Sequence, residues 1–560
     1  MSTENGGVRV FVEGLGSIEA NYGDNLGLIL AKNSVILLPC GGRGVCGQCL
    51  VRVEGPVSPP TDSEVFHDVL KYGLRLACQV KILGDVRVSP LLKLRRLTTS
   101  ALIRTPVTVV DPIFKVVDLE RSIRLDIPVL PSVFNCRGPT NYVVVDGFGV
   151  VGSIPKSCEG DEKVLLVDLG TTKIEWWLVN SRGDILREGV VVNPQISYGT
   201  DIITRLTKAL ESEDVFKGLR GSVREVITKV VDEVGCVVLC GIAGNSVMTG
   251  LFLGMPLRSL ALKPYEPPLL GPFIDVLGGC VPCFITPLIG GYVGGDALAD
   301  LTIAEELNSP TPYLIIDLGT NTEVVLVVSR DPLTIYVTSA PAGPAFERHI
   351  LGGAVVAVGG ISKVKLLGFN DDGSPKFEVI GEPTGLLGSG VVSLVAELLR
   401  GGVIDRKGRI VKGFKNIQDV KGVVVCRGLS GREIIFTQHD IREFQKAVSA
   451  VRTGWTILLE KAGIRPEELK RVYIAGNFGS SIDVEDSLLL GLIPPVDKDR
   501  VVIGGNMVLP GLRLLIFNKD VYRKIIKLRE EVRHIHLERE PEFTKLWVKN
   551  LEFINPYTTK

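Results

Sequence analysis

Val164-Leu165-Leu166-Val167-Asp168-Leu169-Gly170-Thr171-Thr172-Lys173 is an apolar run of strand length that ends in a polar turn, after which Ile174 to Val179 resumes the apolar pattern. The same order recurs at Leu314-Ile315-Ile316-Asp317-Leu318-Gly319-Thr320-Asn321-Thr322-Glu323, which runs into Val324 to Val328. A single D-L-G-T is also what an ordinary hairpin turn looks like. Its duplication at domain-sized separation predicts two similar lobes. The residue types say what such a turn can do. The aspartate can hold a metal ion or its waters, the glycine lets backbone N–H groups face a phosphate, and the hydroxyls add donors. Two copies can clasp a polyphosphate from both sides.

Further glycine-rich turns follow apolar strands in both halves. Val237 to Cys240 leads to Gly241-Ile242-Ala243-Gly244-Asn245-Ser246, and Val472-Tyr473-Ile474-Ala475 leads to Gly476-Asn477-Phe478-Gly479-Ser480. Each reads as strand, turn and helix, which sets backbone donors and a helix N-terminus at the strand's carboxyl end, where nucleotides bind in open α/β sheets. A tight connection without a ligand explains any one of them better when taken alone. Gly388-Ser389-Gly390 before Val391 to Leu399 is of the same kind, and Ile441 to Gly463 reads as a packed helix ending in a glycine.

A second constellation lies near the N-terminus. Cys40 to Cys49 reads C-G-G-R-G-V-C-G-Q-C, and Cys78 follows. Four thiolates, Cys40, Cys46, Cys49 and Cys78, can fill the terminal positions of two sulfide-bridged irons. Gly41, Gly42, Gly44 and Gly47 suit a loop whose N–H groups face the sulfurs. Five residues separate the first two cysteines, against four in the plant-type spacing. A zinc ribbon would want two CxxC pairs, and only Cys46 with Cys49 forms one. Val8 to Glu13, Ser17 to Ala20 and Cys49 to Val53 read as strands, Leu26 to Lys32 as a short helix, and Thr61-Asp62-Ser63-Glu64 as a capping box before a second helix; Leu76 to Cys78 is expected to return as a strand.

Composition narrows the function classes. Sixty-three basic and sixty-three acidic residues cancel, with no basic run, so neither nucleic acid nor a charged membrane surface is an expected partner. At 560 residues and 45% hydrophobic content the chain can hold about three or four domains with sizeable cores. Met1 to Gly7 has no apolar segment behind it and suggests a cytoplasmic protein. Two uncharged stretches, Cys236 to Leu257 and Val276 to Gly295, are interrupted by Gly, Asn, Ser or Pro and read as buried strands joined by turns, not as membrane spans. Of eleven cysteines, seven remain outside the cluster motif and show no disulfide framework, which favours a reducing compartment. Cys280, Cys283, Cys236 and Cys240 are expected to be small buried thiols. His534 and His536 flank Ile535 on an expected strand; with no third ligand in view they read as a solvated sheet face. Prolines from Pro90 to Pro155 mark a linker and a small middle domain.

The strand, helix and loop order of the first ninety or so residues resembles the β-grasp ferredoxin fold of [2Fe-2S] ferredoxins. The D-L-G-T-T, D-L-G-T-N-T-E, A-G-N-S and A-G-N-F-G-S turns, with Ala340-Pro341-Ala342-Gly343-Pro344-Ala345-Phe346-Glu347, are similar to the phosphate, connecting and adenosine motifs of the superfamily containing acetate and sugar kinases, Hsp70 and actin, over about Lys163 to Phe553. That superfamily usually continues A-F-E with glycine, where Arg348 stands here. A ferredoxin domain joined to this ATPase resembles the reductive activators of corrinoid proteins.

The resemblance implies an α+β and α/β multidomain chain: a β-grasp [2Fe-2S] domain over 1–90, a linker and small middle domain over 91–161, and a two-lobed actin-like (ribonuclease H-like) ATPase over 162–560, with lobes of about 162–310 and 311–560. It implies that Asp168, Gly170, Thr171 and Thr172 face phosphate and Mg²⁺ from one lobe, with Gly244 and Asn245 beside them, and that Asp317, Gly319, Thr320 and Asn321 do so from the other. Gly476, Asn477 and Gly479 would approach the adenosine of ATP. Glu323 and Glu347 would orient a metal-bound water, with Asp317 as the third catalytic candidate. The implied activity is ATP-dependent one-electron transfer from the [2Fe-2S] cluster to a corrinoid protein, restoring Co(I) from Co(II), with an upstream low-potential reductant as a further partner and a homodimer left open. A small-molecule kinase and a non-enzymatic ferredoxin-type electron carrier are the other readings.

Overall fold

The two D-L-G-T segments form matching hairpins in the computed structural model. It describes residues 7–33, 35, 36, 38, 42, 44, 47, 49–90 except 68, 101–118, 140–319 except 200, 321–342, 360–476 except 418, 419, 429, 430 and 432, and 480–554.

Five strands make up the N-terminal sheet: β1 (Gly7–Val12), β2 (Gly16–Asn21), β3 (Leu50–Glu54), β4 (Arg75–Leu76) and β5 (Val86–Pro90), in the order β2-β1-β5-β3-β4. β5 pairs parallel with β1 and antiparallel with β3, so this strand, which its terminal proline hides in the sequence, is the sheet's centre. Helix α1 (Leu26–Lys32) is capped by Asn25, whose carbonyl oxygen accepts from Leu28 N while its amide donates to Cys78 O. The expected capping box opens α2 (Asp62–Phe66). The expected strand at Leu76 to Cys78 ends at Leu76 and continues as a 3₁₀ turn, because the main chain there curls against α1: a Cβ on Gly27 would lie 2.7 Å from Cys78 Cα.

A three-stranded sheet follows, β6 (Phe114–Val117), β7 (Thr140–Val145) and β8 (Gly149–Pro155). Its residues Phe114, Val143, Val151 and Ile154 share one core with Leu166, Trp177 and Leu239 of the next sheet.

That sheet has the order β11-β10-β9-β12-β14-β13, from β9 (Lys163–Leu169), β10 (Lys173–Asn180), β11 (Ile185–Val192), β12 (Val237–Ala243), β13 (Phe273–Leu277) and β14 (Val281–Ile285). Helices α3 (Ile202–Glu211), α4 (Glu213–Val234), α5 (Ser246–Leu253) and α6 (Arg258–Ala261) fill the connections. The second large sheet comprises β15 (Tyr313–Leu318), β16 (Thr322–Arg330), β17 (Leu333–Ala340) and the later strands Arg471–Ala475, Val501–Gly505 and Val532–His534. In both, a three-stranded antiparallel meander is followed by a parallel strand on the far side of the first, then another beside it. The duplication read in the sequence is therefore a duplication of topology. β9 and β15 are buried almost throughout, which is why both read as continuous apolar runs.

Two helices join the lobes: α7 (Gly295–Glu306) leads from the first to the second, and the Val508–Phe517 helix packs back from the second onto β9 and β12. They meet backbone to backbone, since a Cβ on Gly511 would overlap the Ala299 carbonyl. The expected packed helix is Gln438–Ala462, closed by Gly463 in the left-handed region.

The cysteines outside the cluster motif correct one expectation. Cys158 and Cys236 form a disulfide, tying the end of the three-stranded sheet to the start of β12, and Cys280 is disulfide-bonded as well. Seventy-eight residues separate the first pair, so no local spacing announces it. Cys240 and Cys283 are buried thiols facing each other in register on β12 and β14, as expected. Among the described residues no helix is long and apolar enough to cross a membrane.

Candidate functional site

Asp168 stands opposite Glu175 on β10 and beside Ala243 on β12; Asp317 stands opposite Glu323 on β16 and beside Ala475. Each alanine is followed by a glycine that packs on the neighbouring turn. A Cβ on Gly244 would lie 2.9 Å from Leu169 O, and one on Gly476, at φ +85°, would overlap Asp317 Oδ1. Gly170 takes the Asn193 amide on its carbonyl at 2.8 Å, and Thr171 is buried with the fully buried Arg205 donating to its carbonyl at 2.7 Å. Asn245 donates to Thr171 Oγ1 at 3.4 Å and caps α5. Gly319 N donates to Asn321 O at 3.1 Å, closing the second turn, and Thr172 borders the first. Thr320, Glu347, Asn477 and Gly479 lie outside the described residues.

A third pair of residues enters from the joining helices, and the sequence reading missed it. Gly294-Gly295-Asp296 opens α7, and Gly504-Gly505-Asn506 precedes the Val508–Phe517 helix. The two cross over. Asn506 belongs to the second lobe yet donates to Asp168 Oδ2 at 2.6 Å and to Glu175 Oε2 at 3.3 Å. Asp296 starts in the first lobe and acts electrostatically on Asp317 and Glu323. Both follow a Gly-Gly pair after a strand, the signal by which they were findable.

The site is a buried concentration of negative charge. Burial, then Asp296, pushes the Asp317 carboxyl up to about 7, and burial pushes Asp296 up to about 6. Burial, Glu175 and Asp296 raise Asp168 well above the usual carboxylate range against the pull of the Asn506 amide. Burial also raises Glu323, with Asp296 and Asp317 adding to it. Burial raises the carboxyl of Asp300, one turn along α7, well above the usual carboxylate range, with Asp317, Asp296 and Asp168 adding to it. Such a set, beside two glycine turns, can hold a hard divalent cation next to a polyphosphate.

At the other end of the chain, Cys49 and Cys78 are buried side by side, with Cys78 N donating to Cys49 Sγ at 3.5 Å. Gly42, Gly44 and Gly47 all have positive φ. His67 Nε2 lies 2.9 Å from Gly44 O, while the Gln79 amide donates to Gly42 O at 3.1 Å and to Cys78 Sγ at 3.4 Å. A loop bent by glycines and held from outside, next to sulfurs that accept from Cys78 N and the Gln79 amide, fits an iron–sulfur group. Cys40 and Cys46 lie outside the described residues.

Comparison with known proteins agrees with both halves. The model of the 2Fe-2S iron-sulfur cluster binding domain matches residues 10–83, that of the RACo middle region 164–308, and that of the C-terminal domain of RACo, the ASKHA domain, 311–559. The corrinoid activation enzyme RamQ of Eubacterium limosum is 30% identical, across 92% of this chain and 94% of that protein. The chain belongs to the RACo family. A second RACo-like relative, the [Co(II) methylated amine-specific corrinoid protein] reductase of Methanosarcina barkeri, is 26% identical over 67% of this chain and 73% of its own. A solved reductive activator for corrinoid, iron-sulfur protein superposes with a TM-score of 0.68 at 25% identity, covering 98% of both chains. The fold class, a [2Fe-2S] ferredoxin domain ahead of an actin-like ASKHA fold, is the one expected from the sequence. What the RACo middle-region model covers here is the lobe carrying Asp168.

Proposed function

We propose that this chain is an ATP-dependent activator that returns the cobalt of a corrinoid protein from inactive Co(II) to Co(I) by transfer of one electron. Cys40, Cys46, Cys49 and Cys78 would hold a [2Fe-2S] cluster, which when bound would supply that electron at low potential, about −400 mV for plant-type centres. Each further 59 mV needed by the acceptor costs about 1.4 kcal/mol, which gives a nucleotide something to do.

The chain's own residues divide the work. Asp317, Asp296 and Glu323 would hold Mg²⁺, Gly170 to Thr172 and Gly319 to Asn321 would hold the phosphates through backbone and hydroxyl donors, and Gly476 with Asn477 and Gly479 would face the adenosine. Glu347 stays a candidate for placing the attacking water. Closing the lobes about α7 and the Val508–Phe517 helix converts nucleotide binding into motion, and the corrinoid partner senses that motion. Val65 and Phe66 are exposed beside His67, which contacts the cluster loop, so an acceptor docked there lies close to the cysteines. An upstream low-potential reductant reloads the site.

The observation that carries this reading is the crossed pairing of Asn506 with Asp168 and Asp296 with Asp317, in a chain that also sets Cys49 against Cys78. The test is absorbance of anaerobic, cluster-loaded protein mixed with Co(II) corrinoid protein, with and without MgATP. Co(I) should appear with MgATP and fail to accumulate without it or with Asp317→Ala; equal reduction in all three rejects ATP coupling.

A further inference from the structure

His534 and His536 are not on a solvated sheet face. The last strand of the second lobe ends at His534, and the next residues turn into the seam between the lobes. There Glu266, from the first-lobe segment that follows α6, meets both: one ligand atom from each of Glu266, His534 and His536 lies within 4.8 Å of the others. Glu266 Oε1 is 2.9 Å from His536 Nε2, and Glu538 Oε1 lies 3.4 Å from His536 Nδ1. The two imidazoles stack with centroids 4.1 Å apart. His534 sits directly on first-lobe backbone, where a Cβ on Gly290 would overlap its Nδ1, and that buried nitrogen has no hydrogen-bond partner. The surrounding seam is built: Arg539 donates to Pro264 O at 3.2 Å and Arg529 to Leu288 O at 2.7 Å, both from the second lobe to the first.

We propose that Glu266, His534 and His536 form a binding site for a borderline divalent cation, Zn²⁺ in the first instance, that ties the two lobes together away from the nucleotide cleft. Two imidazole nitrogens and one carboxylate select Zn²⁺ over Mg²⁺ or Ca²⁺, which take oxygen shells. Three protein ligands leave a fourth tetrahedral position on the half-exposed Glu266 side for water. Glu538 completes the arrangement as the carboxylate that accepts from the remaining N–H of His536 and fixes its tautomer. Because the site's ligands come from both lobes, cation binding favours the arrangement in which those lobes are apposed.

The test uses the full chain with its iron–sulfur cluster loaded, so that the cysteine loop is occupied. Zn²⁺ titration by calorimetry should show one site per chain that weakens by about 100-fold in Glu266→Gln and in His536→Gln. Hydrogen exchange over residues 262–266 should slow with Zn²⁺ in the unaltered chain and not in Glu266→Gln. Iron content and the melting shift produced by MgATP should match the unaltered chain in Glu266→Gln, whose side chain reaches the surface. Equal Zn²⁺ affinity in the unaltered chain, Glu266→Gln and His536→Gln, or no Zn²⁺-dependent slowing of exchange, would each overturn the proposal.

Discussion

Asn506 donates its amide to Asp168 at 2.6 Å across the boundary between the lobes, while its own carbonyl accepts from Val508 N at 3.0 Å and Leu509 N at 3.2 Å. The acceptor contacts fix which way the amide faces. The residue in the equivalent place of the other lobe is Asp296, a carboxylate whose charge acts on both Asp168 and Asp317, and of those two only Asp168 receives the Asn506 amide against it. Asn506→Ala leaves Asp168 buried without its donor, which should cost about 1–3 kcal/mol in stability. Asn506→Asp adds a carboxylate against Asp168 and Glu175 and should be worse, yet Mg²⁺ should recover part of that loss. Thermal melts of the three proteins with and without Mg²⁺ decide it; equal recovery in all three removes the charge argument.

The raised carboxyls give a pH dependence with a definite sign. Folded Asp317 titrates at about 7 and Asp296 at about 6, against an ordinary unfolded value near 3.9. Between those values the folded chain holds protons that the unfolded chain has released, so nucleotide-free stability falls as pH rises from about 4 through 7. If Mg²⁺ binds these carboxyls as in the proposed function, it must displace the same protons, so the stabilisation given by MgATP should grow from pH 6 to pH 8. Melting temperatures at pH 6, 7 and 8, with and without MgATP, measure this. Asp317→Asn should flatten the trend, and an increment independent of pH in the unaltered protein would count against it.

Gly476 is positioned by two constraints at once: its φ of +85° and the Asp317 carboxylate where a Cβ would go. Gly476→Ala should destabilise the chain by about 1–3 kcal/mol, the sum of left-handed strain and a displaced neighbour. Because the neighbour is Asp317, nucleotide turnover should fall by about 10-fold or more even at temperatures where the fold holds, while iron content is unchanged. A variant with normal turnover would show that Asp317 tolerates the shift.

Much of this site was legible because Asp168 and Asp317 each sit in a local pattern, and a local pattern repeated twice survives reading one residue at a time. Asp296, Asp300 and Asn506 were not found, since the Gly-Gly pairs before Asp296 and Asn506 do not say that two helices crossing near Gly511 bring these residues to the site. The disulfide of Cys158 with Cys236 and the meeting of Glu266 with His536 are longer-range still: nothing near either residue announces the other. β5 was hidden by a different effect. Pro90 closes it, and proline argues against a central strand, but here it falls on the last residue, where a lost donor costs little.

Glu64 shows how the ferredoxin domain holds its shape around the cysteines. Its side chain is fully buried, bonded to Arg75 Nε at 2.7 Å, and it accepts from Leu76 N at 3.0 Å and Thr61 N at 2.8 Å. Burial by itself would raise its pKa, but Arg75 and the backbone donors outweigh it, so the carboxyl is held below its ordinary value. The stability it contributes is present above the unfolded value near 4.3 and is lost as pH falls through the folded one. Glu64→Gln leaves the Arg75 guanidinium largely buried without its counter-charge, which should cost the domain about 3 kcal/mol. Arg75 and Leu76 lead directly into Cys78, so the loss should register as faster bleaching of the cluster's visible absorbance on warming. The acid-side bleaching of the unaltered protein, measured from pH 6 down to pH 4, should be shallower in Glu64→Gln, while the melting shift given by MgATP stays the same in both. Identical acid profiles would mean that another carboxylate governs the domain.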